Sequence, residues 1–297
     1  MRRLRVAIGL LFVVASVVFG TYVVREQLLT DHNPPVISCE AGKEEITVSV
    51  NDDESALLDG LTALDEEDGD LTDAIRVASM SNFINGHKRT VEYIVFDGSN
   101  LAGTFERTVQ YSDYTAPRIR LLQPLRMRAS NDGIDFSDML TAEDPLDGDI
   151  TQNIRTITSN DYYYDRNAVE YFYTLQVSSS AGAVCTVPVS VMIVDSSDPT
   201  EMAKYYPILS EYIFYTSKGT AVDVKNSLIG LERNGVSYLY AEDAVLEAST
   251  FEKVTVSASV NYEEAGVYPV DISYTSSAGI TAVTKAYIVV EDVQDGE

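Results

Sequence analysis

An internal repeat constrains the fold of this chain more than any other feature of its sequence. The acidic stretch LDEEDGDLT at residues 64–72 returns as EDPLDGDIT at residues 143–151. Asp68 and Asp147 are 79 positions apart, and the same spacing separates Gly103 from Gly182. Residues on both sides of the acidic stretch recur together, so the sequence predicts copies of one module rather than a single large domain.

Each copy begins with a proline in front of a short apolar stretch. The three starts are NPPVI at residues 33–37, TAPRI at 115–119 and YYPIL at 205–209. A copy of roughly 80 to 90 residues has the size of a small β-sandwich. The predicted boundaries are 1–30 for a cytoplasmic stub with a membrane helix, then 31–113, 114–197 and 198–297 for three modules.

Alternating side chains predict strands in every copy. In VEYIVF, residues 91–96, Val91, Tyr93 and Val95 share one face, and VDISY at residues 270–274 alternates in the same way. A period of two is typical of half-buried strands. Each such stretch is followed by a small-residue turn and a second alternating stretch, which predicts a hairpin. No long amphipathic helical pattern follows residue 30, so the predicted fold class is all-β.

These stretches resemble a known family. TALDEEDGDLTDAI and VEYIVFDGSNLAGTFERTVQYSD are similar to the bacterial immunoglobulin-like repeat common in Gram-positive surface proteins. The second copy matches at TAEDPLDGDITQNI and VEYFYTLQVSSSAG, and the third at AGVYPVDISYTSSAG, where GLERNG replaces the acidic turn. The resemblance implies three tandem immunoglobulin-like β-sandwiches after an N-terminal transmembrane helix. It implies no activity.

The N-terminal segment predicts a membrane anchor. Three arginines precede the uncharged residues 6–24, which as a helix would span about 28 Å, close to the hydrocarbon thickness of a bilayer. By the positive-inside rule the arginines stay in the cytoplasm and the C-terminal modules lie outside the cell. The alternative is a cleaved signal peptide, with Val18 and Gly20 at positions −3 and −1 of the cleavage site.

Charge and cysteine content exclude some classes of partner. A net charge of −25 speaks against a nucleic-acid partner, because binding to phosphates needs a basic surface. Cys39 and Cys185 fall in different copies, so no disulfide within a module is available, and both are expected to be buried thiols. No cofactor is expected, apart from weakly bound calcium.

The acidic turns offer candidate calcium ligands. The candidates are Asp65, Asp68, Asp70, Asp144, Asp147 and Asp149. Pro145 and Leu146 replace two glutamates of the first copy, which dilutes a ligand set, whereas a glycine flanked by aspartates suits a tight turn. We therefore predict structural turns, with a weak or inter-module calcium site as the alternative.

Nothing in the sequence predicts catalysis. His32 and His87 are the only histidines, and no nucleophile elbow, zinc-protease motif, P-loop or dinucleotide fingerprint occurs. The prediction is a non-catalytic surface protein whose modules serve as a spacer, in adhesion, or in presenting an envelope partner.

A dedicated glycan- or protein-binding role is the alternative function. It would use the tyrosine-rich faces of the second and third copies, with Tyr162, Tyr163 and Tyr164 as candidate ligand-binding residues. The preferred interpretation of this stretch is a strand and turn whose alternate tyrosines pack on the sandwich. The segment 238–251 departs from the repeat pattern and carries no predicted role.

Overall fold

The computed structural model describes residues 2–29, 31–128, 134–136, 138–165, 168–240 and 248–292. It begins with one long helix, α1 (Arg2–Leu29), within which Ala7–Arg25 is long and apolar enough to cross a membrane. The described side chains of this segment are exposed except for the half-buried Val23, so the chain's own core does not cover them. A membrane anchor and a signal sequence both fit this description.

The first repeat forms two sheets in which most neighbouring strands are antiparallel. Strands are numbered in chain order. One sheet, in the order β1-β3-β4, contains β1 (Val36–Cys39), β3 (Leu61–Asp65) and β4 (Gly69–Asp70). The other, in the order β2-β7-β6-β5, contains β2 (Glu45–Val48), β5 (Arg76–Met80), β6 (Lys88–Phe96) and β7 (Ala102–Tyr111). Val91, Tyr93 and Val95 are fully buried, which confirms the predicted inward face of β6.

The second repeat follows the same plan. Its sheets have the orders β11-β10-β8 and β12-β13-β14-β9. The strands are β8 (Arg118–Leu121), β9 (Arg126–Arg128), β10 (Leu140–Asp144), β11 (Gly148–Asp149), β12 (Arg155–Asp165), β13 (Ala168–Ser178) and β14 (Val184–Val194).

The third repeat has sheets in the orders β15-β17-β18 and β16-β21-β20-β19. Its elements are α2 (Pro199–Met202), β15 (Tyr206–Leu209), β16 (Ile213–Ser217), β17 (Leu228–Arg233), β18 (Val236–Leu239), α3 (Ala248–Glu252), β19 (Val254–Ala258), β20 (Gly266–Thr275) and β21 (Thr281–Glu291). Half of the unassigned segment 238–251, residues 241–247, lies outside the described residues.

All three repeats thus pair a three-stranded sheet with a four-stranded one. Each four-stranded sheet contains the predicted closing hairpin, which is β6–β7, β13–β14 or β20–β21. The second strand of each hairpin also pairs in parallel with a short strand, which is β2, β9 or β16. This arrangement confirms the predicted all-β fold of immunoglobulin-like sandwiches after an N-terminal helix.

Contacts divide the chain into two compact units, Met1–Ser112 and Asp113–Glu297. In the second unit one hydrophobic core runs through two repeats, because Ile119 and Val187 belong to the same buried cluster as Ile288 and Val290. Each predicted module range, 31–113, 114–197 and 198–297, contains one pair of sheets. Independent folding of each range stays a prediction.

Tyrosines of the third repeat complete strand edges of the second. The Tyr215 hydroxyl accepts a hydrogen bond from Ile119 N at 2.8 Å and donates one to Ile119 O at 2.9 Å. The Tyr287 hydroxyl accepts a hydrogen bond from Ser190 N at 2.7 Å. Ile119 lies on the edge strand β8, and Ser190 lies on β14 just before the residues that pair with β9. The hydroxyls therefore stand where a further strand would otherwise pair.

The two cysteines differ in burial. Cys185 is buried in the shared core, as expected, but Cys39 is only half-buried, so the expectation of two buried thiols was wrong for Cys39. Cys39 is the last residue of β1, which is an edge strand of its sheet.

Gly103 is required by a close approach of two backbone segments. A Cβ at this position of β7 would lie 1.9 Å from the Pro35 carbonyl oxygen. We expect Gly103→Ala to lower the free energy of unfolding of the first unit by about 1–3 kcal/mol, because backbone must shift to admit the methyl group. Urea denaturation measures this loss. Gly42→Ala has open space around its Cβ but a positive φ of 88°, so a larger loss there than at Gly103 would contradict the packing argument.

Candidate functional site

The acidic turn of the first repeat is built from carboxylates that accept backbone hydrogen bonds. Asp65 Oδ1 accepts from Glu67 N at 3.0 Å and Asp68 N at 2.8 Å, and Asp70 Oδ1 accepts from Thr72 N at 3.0 Å. Hydrogen bonding by Thr72 holds the pKa of Asp70 below its ordinary value. These are the contacts that a structural turn needs.

The second repeat reproduces these contacts. Asp144 Oδ1 accepts from Leu146 N and Asp147 N, and Asp149 Oδ1 accepts from Thr151 N. Hydrogen bonding by Thr151 lowers the pKa of Asp149 in the same way.

The middle aspartate of each turn reaches across to the hairpin turn. Asp68 Oδ2 accepts from Gly98 N at 2.5 Å, and Asp147 Oδ2 accepts from Ser180 N at 2.6 Å. Of the six predicted metal ligands, the structure therefore places Asp68, Asp70, Asp147 and Asp149 against backbone N–H groups rather than around a common point.

Asp65 instead meets two aspartates that the sequence reasoning missed. Among the described residues, Asp31, Asp65 and Asp97 form the group whose carboxylate oxygens all lie within 4.8 Å of one another. Asp31 follows the long helix, Asp65 begins the acidic turn, and Asp97 begins the hairpin turn after β6. Asp97 is 6% exposed and Asp31 and Asp65 are half-buried.

Each of these three aspartates uses one oxygen and leaves the other without a partner. The Oδ1 atom of Asp31 accepts from Asn33 N at 2.8 Å, and that of Asp97 accepts from Ser99 N and Leu101 N, each at 2.8 Å. With Asp65 Oδ1 similarly engaged, the three Oδ2 atoms are buried and accept no hydrogen bond. Unpaired buried oxygens are costly, and three that converge are unusual.

The second repeat closes the corresponding place with a tyrosine. Ser179 takes the position of Asp97, because Ser179 N donates to Ala183 O as Asp97 N donates to Leu101 O. Tyr114 is buried, its hydroxyl donates to Asp144 Oδ2 at 2.7 Å, and it lies 3.5 Å from Ser179 Oγ. Burial raises the pKa of Tyr114, which keeps the hydroxyl protonated as a donor. Asp144 is therefore satisfied by protein groups, whereas its counterpart Asp65 is not.

The candidate tyrosine patch lies on β12. Tyr162 is 68% exposed, and its ring centroid is 6.4 Å from that of Tyr171 on β13. Tyr163 and Tyr164 pair with Glu170 and Val169 along the strands, but their side chains lie outside the described residues. The structure thus shows one exposed aromatic pair at this place.

A cleft of about 170 Å³ lies between the second and third repeats. Arg126 forms an ion pair with Glu232 there and stacks on the ring of Tyr206, whose hydroxyl donates to Glu201 at 2.5 Å. Burial lowers the pKa of Arg126 and raises that of Tyr206. Glu201 also forms an ion pair with Lys204.

The cleft is smaller than the roughly 300–1,000 Å³ of ordinary ligand pockets. An open depression of about 450 Å³, which shares Met202 and Asn234 with the cleft, is within that range.

No protein-family model matches the chain, and no curated protein matches it. Solved structures with related strand arrangements are distant. A Clostridium perfringens ZmpB structure, containing the M60 catalytic domain with two CBM51 domains, is 14% identical, with 87% of this chain and 31% of that chain covered and a TM-score of 0.22. The present chain thus spans about a third of that protein.

Two further structures are of similar rank. The lipoprotein BT2262 from Bacteroides thetaiotaomicron is 11% identical over 85% of this chain and 98% of its own, with a TM-score of 0.20. Mouse cadherin-23 EC22–24 is 11% identical over 88% and 100%, also with a TM-score of 0.20. All three TM-scores are far below 0.5, and the sandwich fold of this chain is evident from its own strand pairing.

Proposed function

We propose that this chain is a non-catalytic, single-pass surface protein of a bacterial cell, whose immunoglobulin-like modules hold or present a binding surface outside the membrane. The observation that carries the proposal is the order of elements: one exposed apolar helix, then β-sandwiches. The resemblance of the acidic turns and closing hairpins to Gram-positive surface repeats supports it.

The composition of the sites supports a role without chemistry. In the part of the chain that the structure describes, the acidic turns bind backbone N–H groups, and Arg126 and Glu232 of the cleft pair with each other. A role in adhesion or as a spacer requires no reactive side chain at these places.

The test is the topology of the chain in cells. We expect protease added to intact cells, after removal of the wall, to digest a C-terminal epitope tag and leave a small membrane-embedded fragment. The physical reason is that residues 6–24 remain in the bilayer while the arginines stay inside. Mass spectrometry of the fragment and of the medium gives the result.

A mature chain that begins near Thr21 and is released to the medium would contradict the anchor and support the signal peptide. A tag that resists protease until the cells are lysed would overturn the extracellular location. A cytoplasmic protein carrying the same tag serves as the control for cell integrity.

Direct ligand binding is the second candidate, favoured by the exposed pair of Tyr162 and Tyr171. Aromatic rings present contact area at low entropic cost, which suits a glycan or protein partner. Tyr162→Ala should then abolish adhesion to the partner cells or glycans that the wild-type chain binds. Phe96→Ala, which removes an exposed aromatic ring of the first repeat outside this patch, is the control.

A further inference from the structure

We propose that Asp31, Asp65 and Asp97 bind one calcium ion in the first repeat. The proposal goes beyond the surface role and does not depend on it. It rests on three converging carboxylates, each of which has a buried Oδ2 atom that no group among the described residues satisfies. Like charges at such short separation oppose each other, so the arrangement calls for a cation.

The spacing of the oxygens fits calcium. Calcium binds oxygen ligands at about 2.3–2.6 Å, so two oxygens on one ion cannot lie more than about 5 Å apart. The observed limit of 4.8 Å meets this requirement for all three pairs. Three carboxylates leave several coordination positions for water, which calcium tolerates because its geometry is flexible. Magnesium demands a tighter octahedron, so calcium is the better match.

Burial of Asp97 is the second, independent observation. This side chain is 6% exposed, and its Oδ2 atom has no hydrogen-bond donor. One of its carboxylate oxygens lies within 4.8 Å of an oxygen of each of the other two aspartates. A merely solvated acidic surface would instead expose its oxygens to water. Asp97 is also held in place through Oδ1 by two backbone N–H groups, so the free oxygen has a fixed direction.

The second repeat shows how the same place is built without an ion. There Tyr114 donates to Asp144 Oδ2, and Ser179 replaces the third carboxylate. In the second repeat a tyrosine hydroxyl thus satisfies the carboxylate oxygen that has no donor in the first, and a serine removes one of the carboxylates. The difference between two copies of one fold argues that the open oxygens serve a ligand.

Calcium at this place would join the segment after the helix to the sandwich. Asp31 lies two residues after the end of α1, whereas Asp65 and Asp97 belong to turns of the two sheets. The ion would therefore fix the chain where it leaves α1. Without the ion, mutual repulsion would favour release of Asp31.

Calorimetric titration of the full chain in detergent, after treatment with chelator, tests the proposal. At physiological ionic strength, where diffuse attraction to the acidic surface is screened, we expect saturation by one calcium ion. The dissociation constant should lie near the 10⁻⁴–10⁻³ M range of extracellular modules. Magnesium in the same range should neither give this signal nor displace calcium.

Asp97→Asn should weaken calcium binding by about 10-fold or more, because it removes a ligand charge but keeps the shape and the Oδ1 acceptor. Asp70→Asn is the control, because it removes one charge from the same repeat at a carboxylate that only accepts a hydrogen bond from Thr72 N. The calcium affinity of this variant should equal that of the wild type. In chelator, Asp97→Asn should melt at or above the wild-type temperature, because a repulsion is relieved.

Three results would overturn the proposal. One is the absence of a saturable calcium signal. Another is equal weakening by Asp97→Asn and Asp70→Asn, which indicates diffuse binding to the acidic surface. The third is an Asp97→Asn variant that melts lower in chelator but binds calcium unchanged, which indicates that Asp97 is only a structural cap.

Discussion

Replacing Tyr287 by alanine is expected to destabilise the second and third repeats together, by about 3–5 kcal/mol. Tyr287 is 4% exposed, its ring belongs to the core that both repeats share, and its hydroxyl accepts the Ser190 N–H of the other repeat. The substitution leaves a cavity in that core and a buried N–H group without an acceptor. Urea denaturation of the detergent-solubilised chain gives the free energy.

Hydrogen exchange locates the effect. Amides of β13 and β14 should lose protection in Tyr287→Ala although the substitution lies in β21. Tyr268→Ala is the matched control, because that tyrosine lies on the neighbouring strand β20 and donates to Glu264 O within its own repeat. Faster exchange restricted to residues 206–291 in both variants would show that the repeats unfold separately.

A variant that removes only the hydroxyl separates the two contributions. Tyr287→Phe keeps the ring but leaves Ser190 N without its acceptor. We expect a loss of about 1–3 kcal/mol, the cost of one unsatisfied buried donor.

The second large effect is expected at Arg107 in the first unit. Arg107 is 4% exposed, its Nε donates to the Tyr93 hydroxyl at 3.0 Å, and its terminal nitrogens donate to the carbonyl oxygens of Leu57 and Asp59. Arg107→Met fills similar volume but leaves these acceptors without donors. The free energy of unfolding should fall by about 3–5 kcal/mol, because several buried neutral acceptors lose a charged donor and each unsatisfied acceptor costs about 1–3 kcal/mol.

The matched control is Arg76→Met. Arg76 also donates to two carbonyl oxygens, those of Asp73 and Ile75, but it is exposed and water can replace it. We expect a loss of about 1 kcal/mol or less. Thermal melting of both variants measures the difference, and equal losses would contradict the argument from burial. Arg107→Lys should fall between them, because an ammonium keeps the charge but not the planar fork of donors.

The local features of this fold could be predicted from the sequence. The inward face of β6 follows from a period of two, and the aspartate turns follow from side chains that bond backbone two or three residues away. Both depend on neighbours in the chain. The sequence therefore contains the whole of the relevant geometry within a few residues.

The shared core of the second and third repeats was missed, although a signal was present. Ala286, Tyr287 and Ile288 are buried in succession, which a strand with one solvated face does not allow. Consecutive apolar residues are typical of strands covered on both faces. The sequence of β20 alternates because one face of that strand is solvated, and this pattern was extended to its hairpin partner β21. Residues 286–288 of β21 have no solvated face.

The aspartate cluster could not be predicted from spacing. Asp31, Asp65 and Asp97 come from three separate segments, and only the folded sheets bring their oxygens together. The sequence pattern of the acidic turn indicated only the carboxylates of that turn, and most of these accept hydrogen bonds from backbone N–H groups. No local pattern distinguishes Asp65 from Asp68, and the distinction appears only when the direction of each carboxylate is known.

The tyrosines that complete the strand edges have a consequence for biosynthesis. The second repeat leaves the ribosome before the third, so β8 and part of β14 first fold with unpaired N–H and C=O groups. Open edges of this kind recruit strands from other chains. Folding of the second repeat is therefore completed only when β16 and β21 supply Tyr215 and Tyr287. Until then the nascent chain tends to associate with other chains through these edges. A chain truncated after residue 197 keeps this tendency.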